Sequence, residues 1–421
     1  MIICILGSGG REHAICKSIS LSSKVKKIYC MPGNAGTEEL AKNIDIDIDN
    51  FDKILKFLKV SKVDLVIVGP EKPLVNGIVD FLEKNKIKVF GPRKTPSQLE
   101  GSKIFTKNIC KKYNIPTARF GIFENTNDTI NYLKNVNFPI VIKADGLASG
   151  KGVYISKNFN ESELAVKEIF GGKFGVAKNI LVEEFINGEE MSFFVICDGK
   201  NFKIFQTAQD HKRAYEGDEG KNTGGMGAYS PSGLINSNLE KKIINKIILP
   251  TLKAIQEIGE KYKGFLYAGL MISNNEPFLI EYNVRMGDPE CQTILPLLKN
   301  DLVDIFIACC DEKLEDQVLE WKEEKSLCIV LCSKGYPEKF EKNIKINNLK
   351  NLTLDKNDYI FHAGTKKENG KILSTGGRVL SFVSLSSSYK QARERLIDLI
   401  NKLNWNNGFY RKDIGFKVID K

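Results

Sequence analysis

What this chain of 421 residues lacks narrows its reading first. It holds three histidines, His13, His211 and His362, and no C-x-x-C pair, so a structural zinc site has too few ligands at workable spacing. Its ten cysteines are scattered along a long chain, and reduced thiols are expected rather than a disulfide scaffold. No apolar run approaches the length that spans a bilayer, and Met1 leads into Ile2-Ile3-Cys4-Ile5-Leu6 without a basic leader. A cytoplasmic location with no membrane partner is the expectation. Basic blocks interleaved with aromatics are missing too. The formal charge of +10 comes from dispersed lysines such as Lys53, Lys56, Lys59 and Lys62, which read as solvated helix faces and not as a nucleic-acid surface.

What is present is ordinary in composition, 42% hydrophobic and 27% charged, and long enough for roughly two to four compact units. The first hundred residues alternate apolar runs with helical spacing. Runs at 2–6, 27–31, 65–68 and 89–90 each stop at glycine or proline. That rhythm predicts an α/β fold opening on a doubly wound parallel sheet, with ligands at the carboxyl ends of its strands. Beyond Gly101 the pattern changes. A basic helix over 103–113, a strand over 140–144, a helix near 161–170 and a strand over 179–184 are expected. A hairpin at 191–207 opens a polar, glycine-rich stretch over 209–232, read as a long functional loop. One helix over 239–262, a hairpin at 266–283, a helix near 302–310 and a mixed strand-and-helix tail from about 326 complete the reading.

Four segments carry candidate chemistry. Gly7-Ser8-Gly9-Gly10-Arg11-Glu12 is a strand-to-helix turn suited to a sugar phosphate at a helix N-terminus, or simply to a tight bend. As a dinucleotide fingerprint it fails, because Glu12 holds the third glycine position. The stretch from Lys143 through Gly146, Gly150, Lys151 and Gly152 delivers a lysine from a buried strand into a loop able to close over phosphates. It lacks the hydroxyl residue of a Walker A loop, and a glycine hairpin with a surface lysine has the same composition. In Glu281-Tyr282-Asn283-Val284-Arg285, the period of two puts Glu281, Asn283 and Arg285 on one face. Two oxygen ligands beside a guanidinium suit Mg²⁺ bridging nucleotide phosphates next to a developing anion. Finally, 182–190 reads as a strand ending at a hinge, with backbone groups free for an adenine edge and a carboxylate for a ribose, or as a plain acidic strand end.

Taken in order, these segments resemble the phosphoribosylamine–glycine ligase family of ATP-grasp enzymes. The matching stretches include Gly7 to Ala14, Pro32-Gly33-Asn34-Ala35-Gly36-Thr37, Val68-Gly69-Pro70-Glu71 and Leu99-Glu100-Gly101-Ser102-Lys103. They continue through Lys143 to Val153, Gln209 to Arg213, Asn222 to Pro231, Glu281 to Glu290 and Phe361-His362-Ala363-Gly364-Thr365. Thr375 stands before Gly376-Gly377-Arg378 where the family often has Asn. The resemblance implies an N-terminal domain at 1–102, a two-lobed ATP-grasp domain at 103–322 with a mobile lobe at about 118–190, and a small α+β C-terminal domain at 323–421. It implies ligation of glycine to 5-phosphoribosylamine through glycyl phosphate, with ATP as substrate and Mg²⁺ or Mn²⁺ as metal; separately, a monomer is expected. Another ATP-grasp carboxylate–amine ligase or a carboxylase is the alternative.

Residue by residue, the resemblance gives Lys103, Lys143, Gly150, Lys151 and Gly152 to ATP phosphates. Glu183 and Phe185 go to adenine through the backbone, Glu190 to ribose, and Glu281 and Asn283 to the metal. It gives Gly9, Gly10, Asn34 and Gly36 to the phosphoribosyl group, and Asp210, Thr223, Gly224, Asp288 and Pro289 to glycine or the amine. Arg285 would steady the acyl phosphate.

Overall fold

The computed structural model describes residues 1–147 and 152–419. The opening sheet has five parallel strands, β1 (Ile2–Gly7), β2 (Lys27–Pro32), β3 (Lys42–Asn43), β4 (Leu65–Val68) and β5 (Val89–Phe90), in the order β3-β2-β1-β4-β5. Strand alternation splits β1 between two cores. Ile3 and Ile5 pack with Ala14, Ile15 and Ile19 of α1 (Gly10–Ser20). Cys4 and Leu6 pack on the other face with Ile54 and Leu58 of α2 (Phe51–Val60), and with Leu74 and Ile78 of α3 (Glu71–Asn76) and α4 (Ile78–Lys84). Burial on both faces is why these strands read as unbroken apolar runs. The strand order reverses between β1 and β4, so the turns after Gly7 and Gly69 open on one crevice. The expected doubly wound sheet is borne out.

Next come α5 (Gln98–Gly101) and α6 (Lys103–Tyr113), the latter capped by the Ser102 hydroxyl and stopped by Asn114 at φ 55°. A small antiparallel sheet follows, with β6 (Phe120–Phe123), β7 (Ile140–Ala144), β8 (Val153–Ser156) and β9 (Ile180–Glu184) in the order β6-β9-β7-β8. With α7 (Thr126–Leu133) and α8 (Phe159–Phe170) it encloses its own core of Leu133, Ile142, Val166, Ile169 and Val182. The larger antiparallel sheet joins β10 (Glu189–Asp198) and β11 (Phe202–Ile204) to the long hairpin later in the chain.

The polar stretch over 209–232 is not a loop. It forms β12 (Gln209–Asp210), the hairpin β13 (Arg213–Tyr215) and β14 (Glu219–Asn222), and β15 (Gly227–Ser230). Ala228 and Tyr229 are fully buried, and a buried backbone has to pair its N–H and C=O groups. The predicted single helix over 239–262 is also broken: α9 (Ser237–Ile243) and α10 (Leu249–Glu257) flank a π-helical turn, Ile244–Ile248. Pro250 has no N–H to continue the i to i−4 ladder, and the helix widens just before it.

The hairpin β16 (Lys263–Ser273) and β17 (Glu276–Asn283) completes the larger sheet, ordered β11-β10-β16-β17, and α11 (Glu290–Ile294) and α12 (Leu302–Cys310) follow. The C-terminal region supplies β18 (Lys325–Ser333), β19 (Ile344–Lys345), β20 (Asp358–His362), β21 (Thr365–Glu368), β22 (Lys371–Ser374), β23 (Arg378–Ser386), α13 (Tyr389–Leu403), β24 (Gly408–Phe409) and α14 (Phe416–Ile419). Its main sheet runs β12-β15-β18-β23-β20, with β24 on β18. Two strands of the 209–230 stretch are therefore built into a sheet of the C-terminal region. Among the described residues, no helix is long and apolar enough to cross a membrane.

Candidate active site

One cavity of about 600 Å³ lies where the three regions meet. The N-terminal turn contributes Ser8 and Gly9, α6 contributes Lys103 and Lys107, β7 contributes Lys143, and the end of β9 contributes Glu183 to Ile186. From the other side come Asp210, Lys212, Thr223 and Gly224, the end of β17 with Glu281 and Asn283, then Arg285, Asp288 and Arg378. Val141 and Ile155 of the small sheet and Met271 and Leu279 of the larger one also line it. An apolar slot between two sheets that opens onto lysines suits a flat base at one end and phosphates at the other.

Two of the lysines are placed by one buried carboxylate. Glu183 stands 2.9 Å from Lys107 Nζ and 2.7 Å from Lys143 Nζ, and all three side chains are 5% exposed or less. Burial opposes ionisation of Glu183, yet Lys143 and Lys107 hold its carboxyl below the ordinary range. Burial also draws Lys103 and Lys107 below the usual ammonium range. Lys103 Nζ donates to the Gly146 carbonyl at 2.9 Å. Lys212 is tied to Glu190 at 2.7 Å and stands 4.0 Å from Glu281. Against its burial, Glu190, Asp210 and Glu281 keep it charged well above the ordinary range.

Glu281 and Asn283 alternate along β17 and both reach the cavity, as the strand period requires. Burial would protonate Glu281, but Lys212, Lys143 and Lys103 hold it ionised. Among the described residues no three His, Cys, Asp or Glu side chains gather to bind a metal by themselves. One carboxylate and one amide oxygen are instead the sparse donor set of a Mg²⁺-type ion whose other ligands are phosphate and water. The residues present therefore fit a nucleotide-bound divalent cation.

Arg285 reaches the cavity already engaged. It bonds Glu71 at 3.3 Å, Glu100 at 2.6 Å and the Met286 carbonyl at 3.3 Å, three of the five N–H donors a guanidinium carries. Burial lifts the Glu100 carboxyl to about 7, whereas Arg285 and Arg11 overcome burial to hold Glu71 at about 2. Burial likewise lifts Asp210 to about 7; Lys212 opposes this and Glu290 and Glu190 add to it.

Several expected site residues stand elsewhere. Gly10, Asn34, Gly36 and Pro289 do not line the cavity. The Asn34 amide donates to the carbonyls of Ser8, Gly9 and His362 and accepts from the N–H groups of Gly36 and Thr37, so it braces the turn from behind. Gly36 makes room for the rings of His13 and His362, and Gly10 for Gln292. The Gly9 N–H, expected to hold a phosphate, is taken by Glu12 at 2.6 Å, and the neighbouring Arg11 N–H by Asp288 at 3.3 Å. Glu183 sits inside the β6-β9-β7 ladder, with its carboxylate paired to Lys107 and Lys143. Gly150 and Lys151 lie outside the described residues.

Sequence reasoning passed over Lys107, Glu71, Glu100, Glu290 and Arg378, which all line the cavity. Lys107 was findable, since it follows Lys103 by four residues on the same helix face. Arg378 had no local signal, because its place depends on how the C-terminal sheet packs.

A cleft between two antiparallel sheets, with lysines from both sides and a carboxylate–amide pair on the closing strand, defines the ATP-grasp class. Family models agree along the chain: residues 1–100 match the phosphoribosylglycinamide synthetase N domain, 101–291 its ATP-grasp (A) domain and 326–417 its C domain. The chain belongs to the phosphoribosylglycinamide synthetase family. It is 43% identical to a phosphoribosylamine–glycine ligase of Brucella melitensis, over 100% of this chain and 99% of that one. It is 44% identical to one of Caldanaerobacter subterraneus, over 98% and 99%. The crystal structure of a phosphoribosylamine–glycine ligase from Thermotoga maritima superposes with a TM-score of 0.86 at 35% identity, covering 99% of this chain and 100% of that one.

Proposed function

We propose that this protein ligates glycine to 5-phosphoribosylamine, forming glycinamide ribonucleotide, ADP and phosphate in purine biosynthesis. The observation that carries the reading is the cavity itself, where phosphate-seeking lysines, a metal-type donor pair and a carboxylate-lined pocket meet within one enclosure. A carboxylate is a poor electrophile until one oxygen becomes a leaving group. Glycine's carboxylate oxygen attacks the γ-phosphorus of ATP, the bond to ADP breaks, and glycyl phosphate forms. The amine of phosphoribosylamine then attacks the acyl carbon, phosphate departs, and the nitrogen loses a proton.

The protein's work is placement and charge neutralisation. Lys103 and Lys143 meet the phosphates, with Gly152 beside them, and the family resemblance gives Gly150 and Lys151 to the same phosphates. The slot near Glu183 and Phe185 takes adenine, and Glu190 the ribose. Glu281 and Asn283 would hold Mg²⁺ or Mn²⁺, which neutralises phosphate charge when bound. Arg285, buttressed by Glu71 and Glu100, faces the acyl phosphate, with Asp210, Thr223, Gly224 and Asp288 on the glycine and amine side. Gly9, and Asn34 behind it, shape the ribosyl-phosphate end with Gly10 and Gly36; Pro289 backs the Thr223–Gly225 turn. The working state is a cytoplasmic monomer acting on small molecules, without nucleic acid or membrane. Hydroxylamine trapping tests the intermediate: glycine hydroxamate should accumulate with ATP and glycine. A protein that makes ADP and product but never hydroxamate contradicts the acyl-phosphate route.

A further inference from the structure

The turn Thr223-Gly224-Gly225 faces the cavity, yet its sequence gives it little to hold a shape. Its own contacts tie its two ends: the Thr223 N–H and hydroxyl donate to the Lys212 carbonyl at 2.8 and 2.9 Å, and the Gly225 N–H donates to the Thr223 hydroxyl at 3.0 Å. The middle is gripped from the C-terminal region. The Gly224 N–H donates to the Tyr336 hydroxyl at 3.0 Å, and the Gly224 carbonyl accepts from Arg378 Nη1 at 2.6 Å. These groups belong to the peptide planes on either side of one Cα, so together they set both dihedrals of Gly224. Arg378 extends the grip, donating to the Asp288 carbonyl at 2.5 Å and standing 3.3 Å from the Asp288 carboxylate. Tyr336 fits because position 377 is glycine: a Cβ there would lie 2.1 Å from its ring. Position 225 serves the same end, since its φ is +115° and a Cβ would lie 2.6 Å from Pro289.

We infer that Tyr336 and Arg378 are positioning residues that hold the Thr223–Gly225 turn in its substrate-facing shape, so that the C-terminal region acts in the ligation through this turn. The inference rests on the proposed ligation. Tyr336 does not line the cavity, so its effect on substrate has to pass through Gly224. Arg378 faces the cavity as well, and the decisive variant is therefore Tyr336→Phe, which removes one oxygen and keeps the ring.

Steady-state kinetics of the full chain, Tyr336→Phe, Arg378→Lys and the double variant test it, with melting temperatures alongside. One lost hydrogen bond predicts a rise of about fivefold in KM for glycine or phosphoribosylamine in Tyr336→Phe, with KM for ATP and the melting temperature unchanged. The double variant should lose less than the product of the two single losses, because both bonds serve one residue. Unchanged KM values in Tyr336→Phe, or an equal rise for all three substrates, would overturn the inference. If the wild-type chain itself made no ADP with glycine and phosphoribosylamine, the proposed ligation would fail instead, a result distinguishable from failure of the clamp.

Discussion

Glu183→Gln is the sharpest perturbation of the phosphate end. In the wild type one buried carboxylate answers two buried ammonium groups, at 2.9 Å from Lys107 and 2.7 Å from Lys143. Glutamine keeps the shape and removes the charge, leaving Lys107 and Lys143 without the ion-pair partner they share, although Lys143 still feels the charge of Glu281. Removing one partner of a buried ion pair costs about 3–5 kcal/mol, because the remaining charge stays desolvated. For a chain of this size that is a fall in melting temperature of about 3–6 °C. The pH dependence has a definite sign. Burial already draws Lys107 below the usual range, and without Glu183 it falls further. The unfolded chain then binds more protons than the folded one, so stability rises as pH rises. Thermal unfolding of wild type and variant from pH 6 to 9 should show a deficit that narrows toward alkaline pH. Saturating ATP should restore more of the melting temperature in the variant, since phosphate oxygens can replace the missing carboxylate. A variant that melts within 2 °C of wild type with a parallel pH profile would refute the charge arrangement.

Glu281→Ala should lower turnover by about a thousandfold or more while the melting temperature holds, and near-normal turnover at saturating Mg²⁺ would remove the metal assignment. Asp210, lifted to about 7 first by burial, should give kcat/KM for glycine an acid limb near pH 7. Asp210→Asn should lose that limb along with most of its rate, and an unaltered limb would assign it to another group. Burial draws His13 to about 3, so it is neutral in the fold and takes up a proton on unfolding below its ordinary range. Stability should therefore fall as pH drops below about 6.5, and His13→Asn, which can keep the acceptor for the His362 N–H, should show a shallower acid limb in thermal melts.

Local pattern carried much of this fold. Unbroken apolar runs revealed the parallel sheet, because its strands are buried on both faces, and the period of two placed Glu281 and Asn283 together because β17 is regular there. Where the outcome depended on distant packing, local reading failed. The stretch over 209–232 looked like a loop because it is polar and glycine-rich, while its last strand, β15, pairs with β18, about a hundred residues further along the chain, and Gln209, His211, Ser230 and Ser232 are buried. Glu183 looked like a hinge residue because nothing in its neighbourhood announced Lys107 and Lys143 as partners. Only the resemblance gave Asn34 to the phosphoribosyl group, and nothing local announced that its amide donates to the carbonyls of Ser8, Gly9 and His362. The substrates themselves were legible only through family resemblance.

The most direct test of the central claim is ADP release by the full chain with ATP, Mg²⁺, glycine and 5-phosphoribosylamine, the last two supplied singly and together. Sustained ADP formation, matched by glycinamide ribonucleotide, is predicted only with both. Equal ADP release with glycine omitted, or with bicarbonate in its place, would contradict the account.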